Sequence, residues 1–203
     1  MRTSGRLSPG FNSYTLASQT VFRLALAALS RPIHRFPADF GPLFGARPPM
    51  PALLAALALT LADGLTPVWL SPSLREASGW LAFHRSAPMA GTPAQASLVL
   101  VASPGEMPPL GELRQGTSRF PDRSATVILG GVLEEASRGI PAIASGPGLR
   151  EDEVFEGHGL GQGFMDDWAI NRAAFPLGVD VFLAGPAQLA GLPRSVSLSP
   201  RPG

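Results

Sequence analysis

"FPLGVDVFLAG", Phe175 to Gly185, decides the fold. A Pro-Leu-Gly turn feeds an almost unbroken apolar run, which reads as a strand buried on both faces. "ASLVLVA" (96–102) and "SATVILGG" (124–131) read the same way. Helical stretches fall between such strands, and that alternation implies an α/β chain, a three-layer α/β/α sandwich around a mixed sheet. The strand at 178–185 nevertheless carries a carboxylate, Asp180, and burying it unpaired would cost on the order of several kcal/mol. A turn amide, an arginine or a ligand must compensate it, and "LPRS" (192–195) puts Arg194 a few residues on. Ligands of open α/β sheets gather at the carboxyl ends of parallel strands. Asp180 lies near the amino end of its strand, so the expectation is structural. It pairs with an arginine or with turn amides and fixes the Phe175–Gly178 turn, which Pro176 and Gly178 shape.

Working outward from that strand, residues 1–14 are rich in Ser, Gly and Arg and read as an irregular lead-in, and 15–203 as a single α/β domain. Ser18 can cap a helix whose apolar residues, Val21, Leu24, Ala25, Ala28 and Leu29, recur at helical spacing until Pro32. A proline- and glycine-rich loop follows. A second helix opens at Pro51, a good first-turn residue, and closes by Gly64. "TPVWLS" (66–71) reads as a short strand, and Ser71-Pro72 opens a helix through His84. "MPPLGELRQG" (107–116) is a connection with one helical turn, and "GIPAIAS" (139–145) an extended segment. "LREDEVFEGHGLGQG" (149–163) reads as an exposed polar loop, and "FMDDWAINRAAF" (164–175) as a helix stopped by Pro176. "PAQLAGL" (186–192) reads as a short helix and "RSVSLS" (194–199) as a last, alternating strand.

Composition excludes several chemistries. The 203 residues carry a net charge of +1 with no basic stripe, so neither nucleic acid nor a membrane surface is an implied partner. Cysteine is absent, which removes disulfides, thiolate nucleophiles and cysteine-held zinc or iron–sulfur clusters. All sixteen basic residues are arginine, so there is no lysine for a Schiff base or for a P-loop. A metal held by histidines would need His34, His84 and His158 to converge from distant positions; no metal is expected. The longest apolar run, Met50 to Ala62, is shorter than the roughly 20 residues of a membrane span. Arg23 interrupts the first apolar run, a poor leader core, and a cytoplasmic protein is expected.

Several motifs could carry chemistry. "GHGLGQG" (157–163) fails the dinucleotide fingerprint, which needs glycine at Gln162 or Phe164, and it reads as a loop. "SGPGLR" (145–150) could offer successive amides of Gly146 and Gly148 to an anion, or could be an ordinary turn after a strand. "FPDRSAT" (120–126) sets Arg123 and Ser124 at a strand entrance, where the arginine could grip a phosphonate or pair with Asp122. His84 could serve a ligand or cap the end of its helix. Arg172 could be a solvated residue or a ligand contact, and Asp63 is expected to bond turn amides near Thr66. The candidate anion contacts are therefore Arg123, Ser124, Gly146, Gly148, Arg172, Arg194 and His84. No catalytic residue stands out.

Taken together, "GFNSYTLASQTVFRLALAALSRP" (10–32), "TLADGLTPVWL" (60–70), "WLAFHRSAP" (80–88), "FPDRSATVIL" (120–129), "SGPGL" (145–149) and "FPLGVDVFLAGPAQLAGLPRS" (175–195) resemble the H subunit family of bacterial carbon–phosphorus lyase. The closing F-P-L-G-V-D and L-P-R element is the specific part. The chain departs from the family where Arg31-Pro32-Ile33 replaces R-P-G and where no acid follows Phe11. The resemblance implies a fold similar to the large domain of pyridoxal-phosphate transferases, without that cofactor or any other. It implies G, I and J subunits as partners, and a homodimer when isolated. The implied activity is transfer of an alkylphosphonate onto the ribose of ATP, releasing adenine and giving a ribose 1-phosphonate 5-triphosphate. A scaffold with no ligand site of its own is the alternative.

Overall fold

In the computed structural model, residues 8–134, 138–157 and 159–201 are described. The apolar runs form the strands that their patterning requires. β2 (Val68–Leu70), β3 (Leu98–Val101), β6 (Thr126–Leu129) and β9 (Asp180–Ala184) lie parallel, side by side. β10 (Gln188–Leu192) adds to β9 antiparallel, and β1 (Phe36–Pro37) closes that edge. The result is a mixed six-stranded sheet in the order β1-β10-β9-β6-β3-β2.

Both faces of this sheet are covered by buried apolar clusters, which is why its strands are mostly apolar. Leu98, Leu100, Ile128, Phe182 and Leu189 point into one cluster, shared with the helices α1 (Tyr14–Ser30), α2 (Ala52–Leu61) and α3 (Ser78–Arg85). Their neighbours Val99, Val101, Val127, Leu129, Val181 and Leu183 point into the other. There they meet α4 (Gln162–Ala173) and a small sheet of β7 (Ala142–Ser145), β8 (Glu153–Phe155) and β11 (Ser197–Pro200). α2 is apolar on every side and is correspondingly buried from Leu53 to Leu59. A two-stranded ribbon, β4 (Gln115–Thr117) and β5 (Phe120–Ser124), belongs to neither sheet. Among the described residues, no helix is long and apolar enough to cross a membrane.

The structure corrects the sequence reading in four places. "PAQLAGL" is strand β10 rather than a helix: Leu189 to Leu192 pair with Ala184 to Val181, and the Gly185 amide closes the hairpin on Gln188 O at 2.8 Å. Gly191 lets α1 pack on this strand, because α1 crosses it so closely that an added Cβ would lie 2.4 Å from Ala28 O. Ser18 does not cap α1; the ladder already begins with Ala17 N on Ser13 O, and the Ser18 hydroxyl is buried without a partner. The helix expected from Ser71 is a 3-10 segment, Pro72–Ala77, that runs on into α3. Finally, the polar stretch 149–163 contains β8, whose Phe155 is buried in the core.

Candidate functional site

The carboxylate that opens β9 has found an arginine and a main-chain amide. Asp180 Oδ1 accepts from the Arg194 amide at 2.8 Å and from its Nε at 3.1 Å, and Oδ2 meets Nη2 at 2.5 Å. The geometry follows from the β9–β10 hairpin, whose returning strand brings Leu192 opposite Val181 and so Arg194 alongside Asp180. The guanidinium goes further. Nη1 donates to Pro121 O at 3.0 Å and Nη2 to Ser124 Oγ at 2.6 Å, so the same group also braces β5. With every nitrogen engaged and only 13% of its side chain exposed, Arg194 is a brace.

The turn before β9 is held by a residue for which the sequence suggested no task. Asn171, buried on α4, accepts the Val179 amide at 2.8 Å and donates to Val179 O at 3.0 Å. Its side chain lies against Gly178, whose amide bonds Gln115 O at 3.2 Å, and the Phe175–Pro176 peptide is cis. Thus Asn171 holds the turn and Asp180 holds the arginine. The only trace in the sequence was one amide in an otherwise ordinary helical turn, "WAINRAAF".

The other candidates are spread over several places. Ser124 is buried beneath Arg194, while Arg123 beside it is exposed, its guanidinium 4.2 Å from the centre of the Phe120 ring. Gly146 packs against Ser195. Gly148, at φ +91°, sits where a Cβ would come within 2.8 Å of Ser30 O, so only glycine fits. Arg172 is half-buried at the end of α4, 5.2 Å from the Phe175 ring, and its Nε has no hydrogen-bond partner. Ser124, Arg194 and Asp180 therefore share the root of the β4–β5 ribbon, at the amino end of the parallel strands, while the Arg123 guanidinium reaches the Phe120 ring towards its tip. His84 is elsewhere: its Nε2 meets Ser8 O at 3.0 Å, and its ring packs 5.0 Å from Trp80. A carbonyl only accepts, so Nε2 carries the proton. His158 lies outside the described residues.

Asp63 bonds the turn that follows α2. It accepts the Leu65 amide at 2.9 Å and the Thr66 hydroxyl at 2.7 Å, and chiefly that hydroxyl holds its carboxyl below the usual range.

The carboxyl ends of the parallel strands hold a polar pair that the sequence reading passed over. Ser71 Oγ, fully buried after β2, accepts the Ala102 amide at 3.1 Å after β3. Glu106 accepts the Ser73 amide at 3.0 Å, and that bond, helped by the Ser73 and Ser71 hydroxyls, holds its carboxyl below the usual range. Beside them a cleft of about 690 Å³ is lined by Arg47, Met50, Ser73, Leu74 and Ala102. The available signal was a repeated Ser-Pro immediately after a strand, in "LSPS" and "ASPGE".

Chemically, this arrangement offers guanidinium groups and main-chain braces, with one fully engaged arginine beside one exposed one. Comparison with known proteins agrees with the sequence resemblance. The family described as "Bacterial phosphonate metabolism protein (PhnH)" matches residues 9–199. A protein of Rhizobium meliloti (strain 1021), "Alpha-D-ribose 1-methylphosphonate 5-triphosphate synthase subunit PhnH", is 36% identical over 197 residues, covering 94% of each chain. The "Putative C-P lyase subunit protein HtxG" of Stutzerimonas stutzeri is 29% identical over 86 residues, 42% of this chain and 43% of that one. On this agreement along nearly its whole length, the chain belongs to the PhnH family of bacterial phosphonate metabolism proteins.

Proposed function

We propose that the chain is a non-autonomous subunit of a carbon–phosphorus lyase assembly. In this reading it supports transfer of an alkylphosphonate to the ribose of ATP, with loss of adenine, giving a ribose 1-phosphonate 5-triphosphate. The observation that carries the reading is the 94% mutual coverage with a subunit of a ribose 1-methylphosphonate 5-triphosphate synthase. The lysine- and cysteine-free composition supports it, since a chain lacking both has neither a Schiff-base amine nor a thiolate for covalent work. Its companions would be the G, I and J subunits, its compartment the cytoplasm, and it would need no cofactor of its own. The sandwich would be that of pyridoxal-phosphate transferases, put to another use.

Attack of a phosphonate oxygen on the anomeric carbon needs positioning and charge stabilisation, which arginines can supply. Arg123 is the candidate contact to the anion, with Arg172 and the Ser145–Gly148 turn at the same end of the sheet. Arg194 would act through Ser124 as a positioning residue.

The engagement of Arg194 by four acceptors favours a second reading, a scaffold without a ligand site. Calorimetry separates the two. Heat on titrating the chain with ATP and methylphosphonate, lost in Arg123→Ala, supports the contact; no heat at millimolar ligand supports the scaffold. Turnover by the purified chain alone would overturn both.

A further inference from the structure

The β4–β5 ribbon has a tip that the fold does not use. Ser118 and Arg119 make its turn, and the Phe120 amide bonds Thr117 Oγ1 at 3.1 Å. Arg119 and Arg123 both lean on the Phe120 ring, with guanidinium carbons 5.3 and 4.2 Å from its centre. Phe120 is 37% exposed. Among the described residues, neither arginine has a carboxylate within 4.0 Å, although Asp122 stands between them in sequence. A guanidinium held over a ring by a cation–π contact can still offer N–H groups to an oxygen pair.

The root of the ribbon, by contrast, is tied down on all sides. Arg194 bonds Pro121 O and Ser124 Oγ. Gln115 Nε2 donates to Leu110 O and Leu113 O at 2.7 and 2.8 Å. Arg114 bonds Ser97 Oγ at 3.1 Å, and its carbonyl accepts the Ala125 amide at 2.7 Å. The Asp180–Arg194 pair is one of these ties. A firmly rooted arm loses little conformational freedom on docking.

None of the five principal clefts is lined by a ribbon residue. Small ligands are held in concave sites, whereas this tip is the exposed turn of a two-stranded ribbon. Whatever encloses it must bring the recess. Arginine and aromatic side chains are the types that dominate binding energy at protein interfaces.

We propose that Arg119, Phe120 and Arg123 form a docking arm that seats in a carboxylate-lined, apolar-floored recess of another polypeptide of the assembly. The proposal rests on the reading of the chain as a subunit. Arg123 then serves the assembly first, and any contact with an anionic substrate is made inside the recess.

The test uses the full chain on a biosensor surface and the remaining subunits of the assembly, co-expressed without it, as analyte. Arg119→Glu/Arg123→Glu should weaken binding by about 30-fold or more, and Phe120→Ala by about tenfold. Melting temperatures should stay unchanged, and Arg23→Glu, an exposed site on α1, should bind like the parent. Added salt should weaken the parent more steeply than the double variant. Should the double variant fold poorly, a photo-reactive phenylalanine analogue at position 120 keeps the question open to decision: a cross-link to a segment bearing Asp or Glu supports the arm, and no cross-link to any subunit overturns it. Binding that survives the double reversal within threefold overturns the arm alone. Failure of the parent chain to bind overturns the subunit reading, and the arm with it.

Discussion

Arg194 reaches back fourteen residues to grip Asp180 with its own amide, its Nε and its Nη2, while its remaining donors hold β5. The F-P-L-G-V-D and L-P-R elements are thus two halves of one brace between the end of the β9–β10 hairpin and the ribbon.

Breaking that brace from the acid side should be costly. Asp180→Asn leaves a largely buried guanidinium without its counter-charge, and removing one partner of such a pair costs about 2–4 kcal/mol, discounted for the 23% exposure of Asp180. Urea unfolding should show a lower midpoint with an unchanged slope. A midpoint equal to the parent would mean that the pair contributes nothing.

Asn171→Ala should destabilise comparably for a different reason. It strands the buried amide and carbonyl of Val179, each a loss of roughly 1–3 kcal/mol. A total of about 3 kcal/mol corresponds to a fall of roughly 6–12 °C in Tm for a chain of this size. Differential scanning calorimetry reads this directly, and a fall below 2 °C would remove Asn171 from its assigned task.

Gly191→Ala tests the approach of α1 to the sheet. The added methyl would meet backbone, Ala28 O at 2.4 Å and Ala28 C at 2.6 Å, and overpacking against backbone costs about 2–3 kcal/mol or more. The variant should unfold at lower denaturant or express poorly; parent-like stability would show that α1 can lift away freely.

Asp63 and Glu106 predict a pH dependence with a definite sign. Both carboxyls are depressed in the folded chain, Asp63 chiefly by the Thr66 hydroxyl and Glu106 chiefly by the Ser73 amide. Their contribution is complete above the unfolded value, near pH 4, and is lost as pH falls through the lower folded one. The Tm gap between the parent and Asp63→Asn or Glu106→Gln should be widest near neutrality and close below about pH 4. A gap that widens on acidification would reverse the assignment.

What could be read from the sequence follows the strength of each local signal. β3, β6 and β9 were legible because strands covered on both faces need uninterrupted apolar runs. β10 was not, since Ala, Leu and Gln suit a helix, and it is pairing with β9 and β1, distant or invisible in the local pattern, that makes it a strand. The need of Asp180 for a partner was legible as electrostatics, and an arginine was among the options, but the role of Arg194 in bracing β5 depends on a contact 73 residues away in sequence. The ribbon escaped notice because its tip is polar and its root is tied by main-chain and side-chain bonds with no periodic signature. Arg123 was visible beside Phe120; Arg119 became interesting only once the turn had folded it onto the same ring.

Trp80 and Trp168 are both fully buried, one in each of the two clusters that flank the sheet. Each side of the molecule thus has its own indole emitter, and Trp69 on β2 is the only other one. With Trp69 replaced by phenylalanine throughout, replacing either buried indole as well would let the glow of the survivor report whether the two flanks melt in one step or in sequence.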